Sequence, residues 1–424
     1  MYKTYTWEEV AKYLLKDGHE IRFLVQNQIF KPKKFKSTFI PYPKKSNLKK
    51  SNKNFEKITK SDRNINYFGG NNKHYDYYYQ EIEKYIKKYK PNVVFGESTL
   101  FHELMAIEIC KRNKILFLHP SEIGYPKERI AFYKYDTKEP YDCNKNKKKY
   151  DKDARNFITD INNRSLKPRY MKIKKSTFLA NLNDKILRIA GRLGGEVYNT
   201  PSIIKKIELD KILKKLIISW NKKSIKISEI ISIKEKVILF PMHMQPEANI
   251  DLWGQEYRDQ TKLIQKIAEY LPSGWKLVVK LNPKTKYELT PGLLKICFEN
   301  KNIIPIKSNQ RMVDIFEKSD VIITITGTVL IECIYLNKPI LSLIKSEFLS
   351  TSGNQYLDNV KDIKCHLDNY KNISISSYDE KINFYNKMIN YTFDGKIISG
   401  PFDQIDKKNT LRLYKAFNEV LQSI

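Results

Sequence analysis

Apolar positions recur along this chain in two rhythms that trade places. In one, they return every three to four residues, as on one face of a helix; in the other, they form short runs of Val, Ile, Leu and Phe, as in a buried strand. Val10, Tyr13 and Leu14 place a helix over 6–16, and a strand follows over 20–26. The stretch 31–60 is crowded with Lys, Asn, Ser and Pro and reads as a solvated loop or flap. A Tyr-rich helix over 76–89, a strand over 92–95, a helix over 101–112 and a strand over 115–118 restore the β-α-β order of a parallel sheet. A charged loop over 144–153 precedes helices over 153–162, 179–191 and 209–220, and 221–236 reads as a connector.

A second and cleaner series then begins. Strands over 237–241, 276–280, 303–306, 321–326 and 340–343 alternate with helices over 258–271, 292–299, 312–318 and 329–336. Five parallel strands with crossovers describe an α/β, Rossmann-like domain. An amphipathic helix over 410–424 closes the chain, and no internal repeat is visible. A helix, not the usual strand, opens the first domain.

The 424 residues are too many for one ordinary core. We expect domains over 1–225 and 226–400, with 401–424 as a terminal helix packing back on the first. No apolar run is long enough to span a bilayer, and the N-terminus lacks a signal-peptide core. The five cysteines are scattered, without C-x-x-C spacing, so neither zinc nor a disulfide framework is suggested. These features predict a cytoplasmic protein. The formal charge of +30 predicts attraction to polyanions. It comes from Lys spread along the chain while Arg is sparse, whereas nucleic-acid readers favour the Arg fork. An AT-rich genome explains such a composition, a membrane-facing or acidic-substrate patch is the alternative, and nucleic acid is not expected as the partner.

Candidate chemistry gathers at strand ends. In 320–332 a buried strand runs into Thr326 and Gly327, and a helix starts near Thr328. Free N–H groups and the helix dipole there attract anions, phosphate above all. Thr328 can cap the helix or donate to a phosphate, and Glu332, one turn on, can accept from ribose hydroxyls. In 240–248, His243, Gln245 and Glu247 alternate along a loop after a strand. In 278–283, Lys280 and Asn282 end another, before Pro283. In the first half, Glu97 follows a buried strand and is the candidate general base for an acceptor hydroxyl. His119 lies after the next strand, and Arg129 is a candidate for steadying an anion. Each motif alone also fits a bland role: a capped helix, a solvated lysine, a histidine bonded within the fold.

The block 240–283 resembles the Kdo-transferase-like capsule polysaccharide biosynthesis proteins of bacteria. The matching positions are His243, Gln245, Pro246, Glu247, Tyr257, Asp259, Gln260, Lys280 and Pro283. Gly327, Thr328 and Glu332 match the family's Gly-Thr-x-x-x-Glu segment, and 154–171 resembles its linker helix. Asn282 stands where the family carries a histidine. The resemblance covers about residues 90–345. It implies a GT-B fold, two Rossmann-like domains facing across a cleft, and a metal-independent glycosyltransferase without cofactor. The nucleotide sugar would be a substrate, a CMP-activated acidic sugar such as Kdo being favoured. The second domain would bind it through Gln245, Glu247, Lys280, Asn282, Thr326, Gly327, Thr328 and Glu332, with His243 and Glu97 catalytic. The first domain would take a glycan or lipid-linked acceptor, and 31–60 would meet the anionic inner face of the cytoplasmic membrane. A nucleotide-sugar epimerase of the same fold is the main rival.

Overall fold

The computed structural model describes residues 3–143, 147–166, 178–230, 232–346, 348–397 and 405–424. The chain is an α/β protein that divides into two compact units. Unit 1 comprises Met1–Lys149, Lys167–Ile203 and Lys387–Ile424; unit 2 comprises Tyr150–Leu166 and Ile204–Asn386. The expected cuts at 225 and 400 therefore shift. Residues 150–166 and 204–225 belong with the second unit, and 387–400 with the first.

Unit 2 carries a parallel sheet of six strands: β6 (Lys236–Pro241), β7 (Trp275–Lys280), β8 (Ile303–Ile306), β9 (Val321–Thr324), β10 (Ile340–Ser342) and β11 (Asn354–Tyr356). Their order is β11-β10-β9-β6-β7-β8. From β6 the chain winds outward through β7 and β8, then returns to lay β9 on β6's other side, in register at Ile238–Val321 and Leu239–Ile322. The direction of winding reverses between β6 and β9, and open α/β sheets bind ligands at the carboxyl end of such a switch. The inner strands are apolar on both faces because helices cover both, while the edge strand β11 is polar. The covering helices carry local start signals. Asp259 accepts from the Lys262 N–H at 3.1 Å ahead of the helix Gln260–Glu269, and Thr290 caps Pro291–Glu299 with proline at its first position.

Two helices of this unit come from earlier in the chain. Asp151–Asn162 buries Phe157 against Tyr335, with ring centroids 5.0 Å apart. Ile203–Lys223 buries Trp220 in the main core, where its Nε1–H donates to the Ile306 carbonyl at 2.8 Å. The last part of the family-like linker stretch, 167–171, lies outside the described residues.

Unit 1 is built on a mixed sheet of β3 (Val93–Phe95), β4 (Leu116–Glu122), β5 (Arg129–Lys134) and β12 (Phe393–Asp394), in the order β12-β5-β4-β3. β3 and β4 are parallel; β5 and β12 are antiparallel additions. The helices Lys3–Lys16 and Lys407–Gln422 pack together beside it, with Val10, Leu14, Leu118, Phe132, Leu413 and Phe417 in one core. Residues 31–60 are more ordered than their composition predicts. β1 (Phe23–Val25) pairs with β2 (Ser37–Phe39), a short helix spans Glu56–Ser61, and Ile40, Phe55 and Ile58 are buried. Scattered apolar residues, invisible as a period, anchor the stretch. Among the described residues no helix is long and apolar enough to cross a membrane.

Trp220 ties residues 204–223 to unit 2. Trp220→Ala should cost about 3–5 kcal/mol of stability through the cavity it leaves. Trp220→Phe, which keeps most of the volume and loses the hydrogen bond, should cost about 1–2 kcal/mol. Urea unfolding of the three proteins checks the order.

Candidate functional site

The carboxyl ends of β6 and β9 bring His243 and Gly327 together. Gly327 has φ 106° and ψ −170°, a backbone state closed to L side chains, and it is the N-cap of the helix Thr328–Tyr335. A Cβ built on it would stand 3.4 Å from His243 Cε1, so the imidazole lies against this helix start. Thr328, expected as the cap, is instead the first helical residue, and the N-cap position is held by a glycine with no side chain to cap the helix. The Leu330 N–H turns back to the Gly327 carbonyl at 3.2 Å, and the helix begins just past the carboxyl end of β9, where a first turn has no preceding helical carbonyls to bond. An anion placed there would meet both the helix dipole and the imidazole.

A buried amide network holds His243 in place. Gln260, 2% exposed, accepts from the His243 N–H at 2.9 Å and donates to the His243 carbonyl at 2.8 Å. Its Nε2 also donates to Gln245 Oε1 at 3.0 Å; Gln245 Nε2 donates to Asp251 Oδ1 at 3.1 Å. Asp251, 4% exposed, further accepts from Arg258 Nε at 3.1 Å and the Glu247 N–H at 2.9 Å. A main-chain donor at one end and a carboxylate at the other fix the orientation of both amides. Gly254 lets this loop close on the sheet, since a Cβ there would lie 2.8 Å from Ile325 Cγ2. The imidazole is oriented too. Thr324 Oγ1–H donates to the Thr326 carbonyl at 3.0 Å, so Thr324 Oγ1 accepts from His243 Nε2–H at 3.3 Å.

The remaining candidates of unit 2 divide by what they touch. Gln245 is buried with both ends of its amide used inside the loop, so it positions and does not reach a ligand. Lys280 is buried as well. Its Nζ donates to the carbonyls of Leu281 at 2.9 Å and Ser308 at 2.8 Å, and burial pushes its pKa down to about 8. It stitches the ends of β7 and β8 instead of presenting an open charge to a phosphate. Asn282 uses Oδ1 to accept from the Lys284 N–H at 2.8 Å in a turn; its Nδ2 has no partner among the described residues, and the side chain is half-buried. Glu247 accepts from Asn249 Nδ2 at 2.9 Å at the loop's half-buried rim. Thr326 is buried and Thr328 and Glu332 are half-buried, the last two one turn apart on the helix. Asp251 escaped sequence reading because the stretch 248–258 has the polar look of a solvated loop.

In unit 1, Glu97 sits just past β3, but its surroundings argue against a general base. Lys3 Nζ lies 2.5 Å and His119 Nε2 3.4 Å from Glu97 Oε2. Burial pushes the Glu97 pKa up, yet the Lys3 charge and the His119 hydrogen bond outweigh it and hold the group at about 2. A carboxylate so acidic is a weak proton acceptor near neutrality. His119 Nδ1 is 2.7 Å from the hydroxyl of Ser98, which is fully buried. Ser98, His119, Glu97 and Lys3 thus form one bonded array across β3, β4 and the first helix. Glu97 Oε1 is buried without a partner among the described residues. Neighbouring Glu103, whose pKa burial raises, accepts from the Thr99 and Leu100 N–H groups and caps its helix. Arg129 is likewise taken up, donating to Asp394 Oδ1 at 2.6 Å, Thr392 Oγ1 at 2.7 Å and the Ile389 carbonyl at 3.0 Å.

Similar solved structures include the β-Kdo 2,7-transferase KpsC of Thermosulfurimonas dismutans. It is 11% identical, with 80% of this chain and 90% of that chain covered and a TM-score of 0.36. The UDP-GlcNAc 2-epimerase of Methanocaldococcus jannaschii, in complex with UDP-GlcNAc and UDP, is 18% identical, with 76% and 80% covered and a TM-score of 0.30. A variant of the wall teichoic acid polymerase TagF is 15% identical, with 46% and 47% covered and a TM-score of 0.27. At these values nothing about function rests on the likeness. No family model matches the chain, and no curated protein does.

Gln260→Leu keeps the shape but strands His243's peptide and Gln245's amide. We expect a loss of about 3 kcal/mol or more in urea unfolding, since each buried group left unpaired costs roughly 1–3 kcal/mol. Glu97 gives a pH signature. Its folded pKa lies below the ordinary 4.5, so its stabilisation is full above 4.5 and drains away as pH falls towards 2. Glu97→Gln should flatten that part of the stability profile; an unchanged acid slope would contradict the ion pair with Lys3.

Proposed function

We propose that this chain is a glycosyltransferase of GT-B type, with its nucleotide-sugar donor held by unit 2 at the β6/β9 edge. The observation that carries the reading is the glycine-started helix at Gly327 with the His243 imidazole against it, at the switch point of a parallel sheet. The phosphate would accept from the first-turn N–H groups and, with the imidazole protonated, from its Nδ1–H, the Nε2–H being given to Thr324. The Asn282 amide is a neutral donor at the next strand end, and Glu332 and Glu247 are acceptors for ribose and sugar hydroxyls. As the glycosidic bond to the donor breaks, negative charge grows on the leaving phosphate. Fixed donors aimed there stabilise that charge without reorganising.

A single helix start with one imidazole suits one phosphate better than two. Together with the family resemblance of 240–283 and the net charge of +30, this favours a CMP-activated acidic sugar such as Kdo. Unit 1 is assigned the acceptor, a surface glycan or its lipid-linked precursor. Lys280 and Gln245 shape the donor site, and Glu97 organises His119 and Lys3 and does not take the proton.

A panel of nucleotide sugars tests the reading. Nucleotide release that requires a glycan acceptor supports it, whereas epimer formation without acceptor points to the isomerase. Salt-sensitive binding of generic DNA with no turnover would sink both. Gly327→Trp places a bulky side chain against His243 and at the helix start. It should weaken donor binding about tenfold or more, a change of at least about 1.4 kcal/mol by calorimetry. Unchanged affinity would show that the donor lies elsewhere.

A further inference from the structure

The helix Phe178–Leu193 of unit 1 presents an apolar stripe to solvent. Leu179, Leu182, Ile186, Ile189 and Leu193 follow one another at steps of three and four residues, which puts them on one side of the helix. Their exposures run from 38% to 83%, the Leu193 end being the barest. Soluble surfaces rarely display five large aliphatic residues in a continuous row. The helix is seated by a different side. Gly191 is buried, and a Cβ there would stand 3.6 Å from Asn27 Nδ2 and 3.8 Å from Ile29 Cδ1. The stripe is therefore not the face that holds the helix to its own unit.

Charge says what could cover it. The helix sequence has three basic residues, Lys185, Arg188 and Arg192, against one acidic residue. On a helical projection the three basic residues lie together on one side of the stripe, about 80–140° from its centre at 100° per residue, Lys185 nearest and Arg188 farthest. The chain as a whole carries +30. An apolar stripe bordered by basic side chains is the arrangement of helices that lie in the plane of an anionic bilayer, with leucines in the acyl boundary and cations at the headgroups. Arg192 donates to the Thr200 carbonyl at 2.6 Å and, with Asn64, His74 and Tyr198, lines a polar cavity of about 250 Å³ at the end of the stripe. Arg192 thus joins the basic side of the stripe to a hydrogen-bonding recess.

We infer that the Phe178–Leu193 helix is an interfacial anchor that docks unit 1 on anionic lipid, its Leu182–Ile186–Leu193 side inserted and Lys185 and Arg188 at the phosphates. This rests on the proposed transferase reading only for its purpose, bringing the protein to a lipid-linked acceptor. The stripe and its basic border stand without it. The anchor is a different element from 31–60, the basic stretch from which membrane contact was expected.

Co-sedimentation with phosphatidylcholine vesicles, with and without phosphatidylglycerol, tests the inference, using the full chain and no nucleotide sugar. The wild type should pellet with the anionic vesicles and much less with neutral ones, and added salt should release it. Leu182→Glu/Ile186→Glu, at positions already exposed, should cut the partition about tenfold or more by removing two inserted aliphatic chains. Lys185→Glu should weaken binding to anionic vesicles only. Ile375→Glu, an equally exposed aliphatic in unit 2, is the control and should bind as wild type. Binding by the double variant equal to wild type, or no wild-type binding, would overturn the anchor. So would a dimer in analytical ultracentrifugation that the double variant dissolves, because the stripe would then be covered by a second copy. Donor affinity measured on the same double variant separates the two readings. It should be unchanged, and its loss in Gly327→Trp leaves vesicle binding intact.

Discussion

The site in unit 2 depends on one clamp, the Gln260 side chain holding the His243 peptide by both its N–H and its carbonyl. A loop leaving a parallel strand has no ladder to satisfy its main chain, so its direction must be set by side chains. Gln260 does this from the first position of its helix, and it passes the constraint through Gln245 to Asp251 and Arg258. With the loop held, the imidazole can stand only against Gly327 and Thr324. The absence of a side chain at 327 matters for the same reason. It leaves the helix start without a side chain at its cap position and open on the side where the ring lies.

Strand-end polar residues in this fold do two kinds of work, and residue type does not say which. Lys280 carries a charge suited to phosphate, yet it turns into the protein and satisfies two carbonyls, at the expense of a depressed pKa. Asn282, two residues on, stays half-buried with an amide donor to spare. The same division holds in unit 1. Glu97 lies where a base would be wanted, but a nearby lysine and histidine make it a stable anion. Burial and partners decide the chemistry there, more than position on the sheet does.

Much of the architecture was readable because parallel strands buried on both faces must be apolar throughout. β6, β7, β8, β9 and β10 show as runs of Val, Ile and Leu. β11, Asn354–Tyr356, lies at the sheet edge and is polar, so no run marks it. β5 was hidden for another reason, since Arg129–Lys134 pairs antiparallel where the β-α-β rhythm predicts a helix next. The unit boundaries were misplaced because the chain crosses between units several times, and helices such as Asp151–Asn162 and Ile203–Lys223 have nothing in their own sequence to name the sheet they cover. In the site, His243, Gly327 and Gln260 were legible as motif positions. That Gln245 and Lys280 face inward was not, because their hydrogen-bond partners lie far along the chain or on the backbone.

The central claim is that His243 and the helix start at Gly327 form the seat of a nucleotide phosphate. Crystals soaked separately with CMP and UDP test it most directly. The account predicts a phosphate bonded to the first-turn N–H groups at Thr328 and lying beside the His243 ring, with the Gln260 clamp unchanged. A nucleotide bound at any other place in unit 2, with the Gly327 helix start vacant, would contradict it.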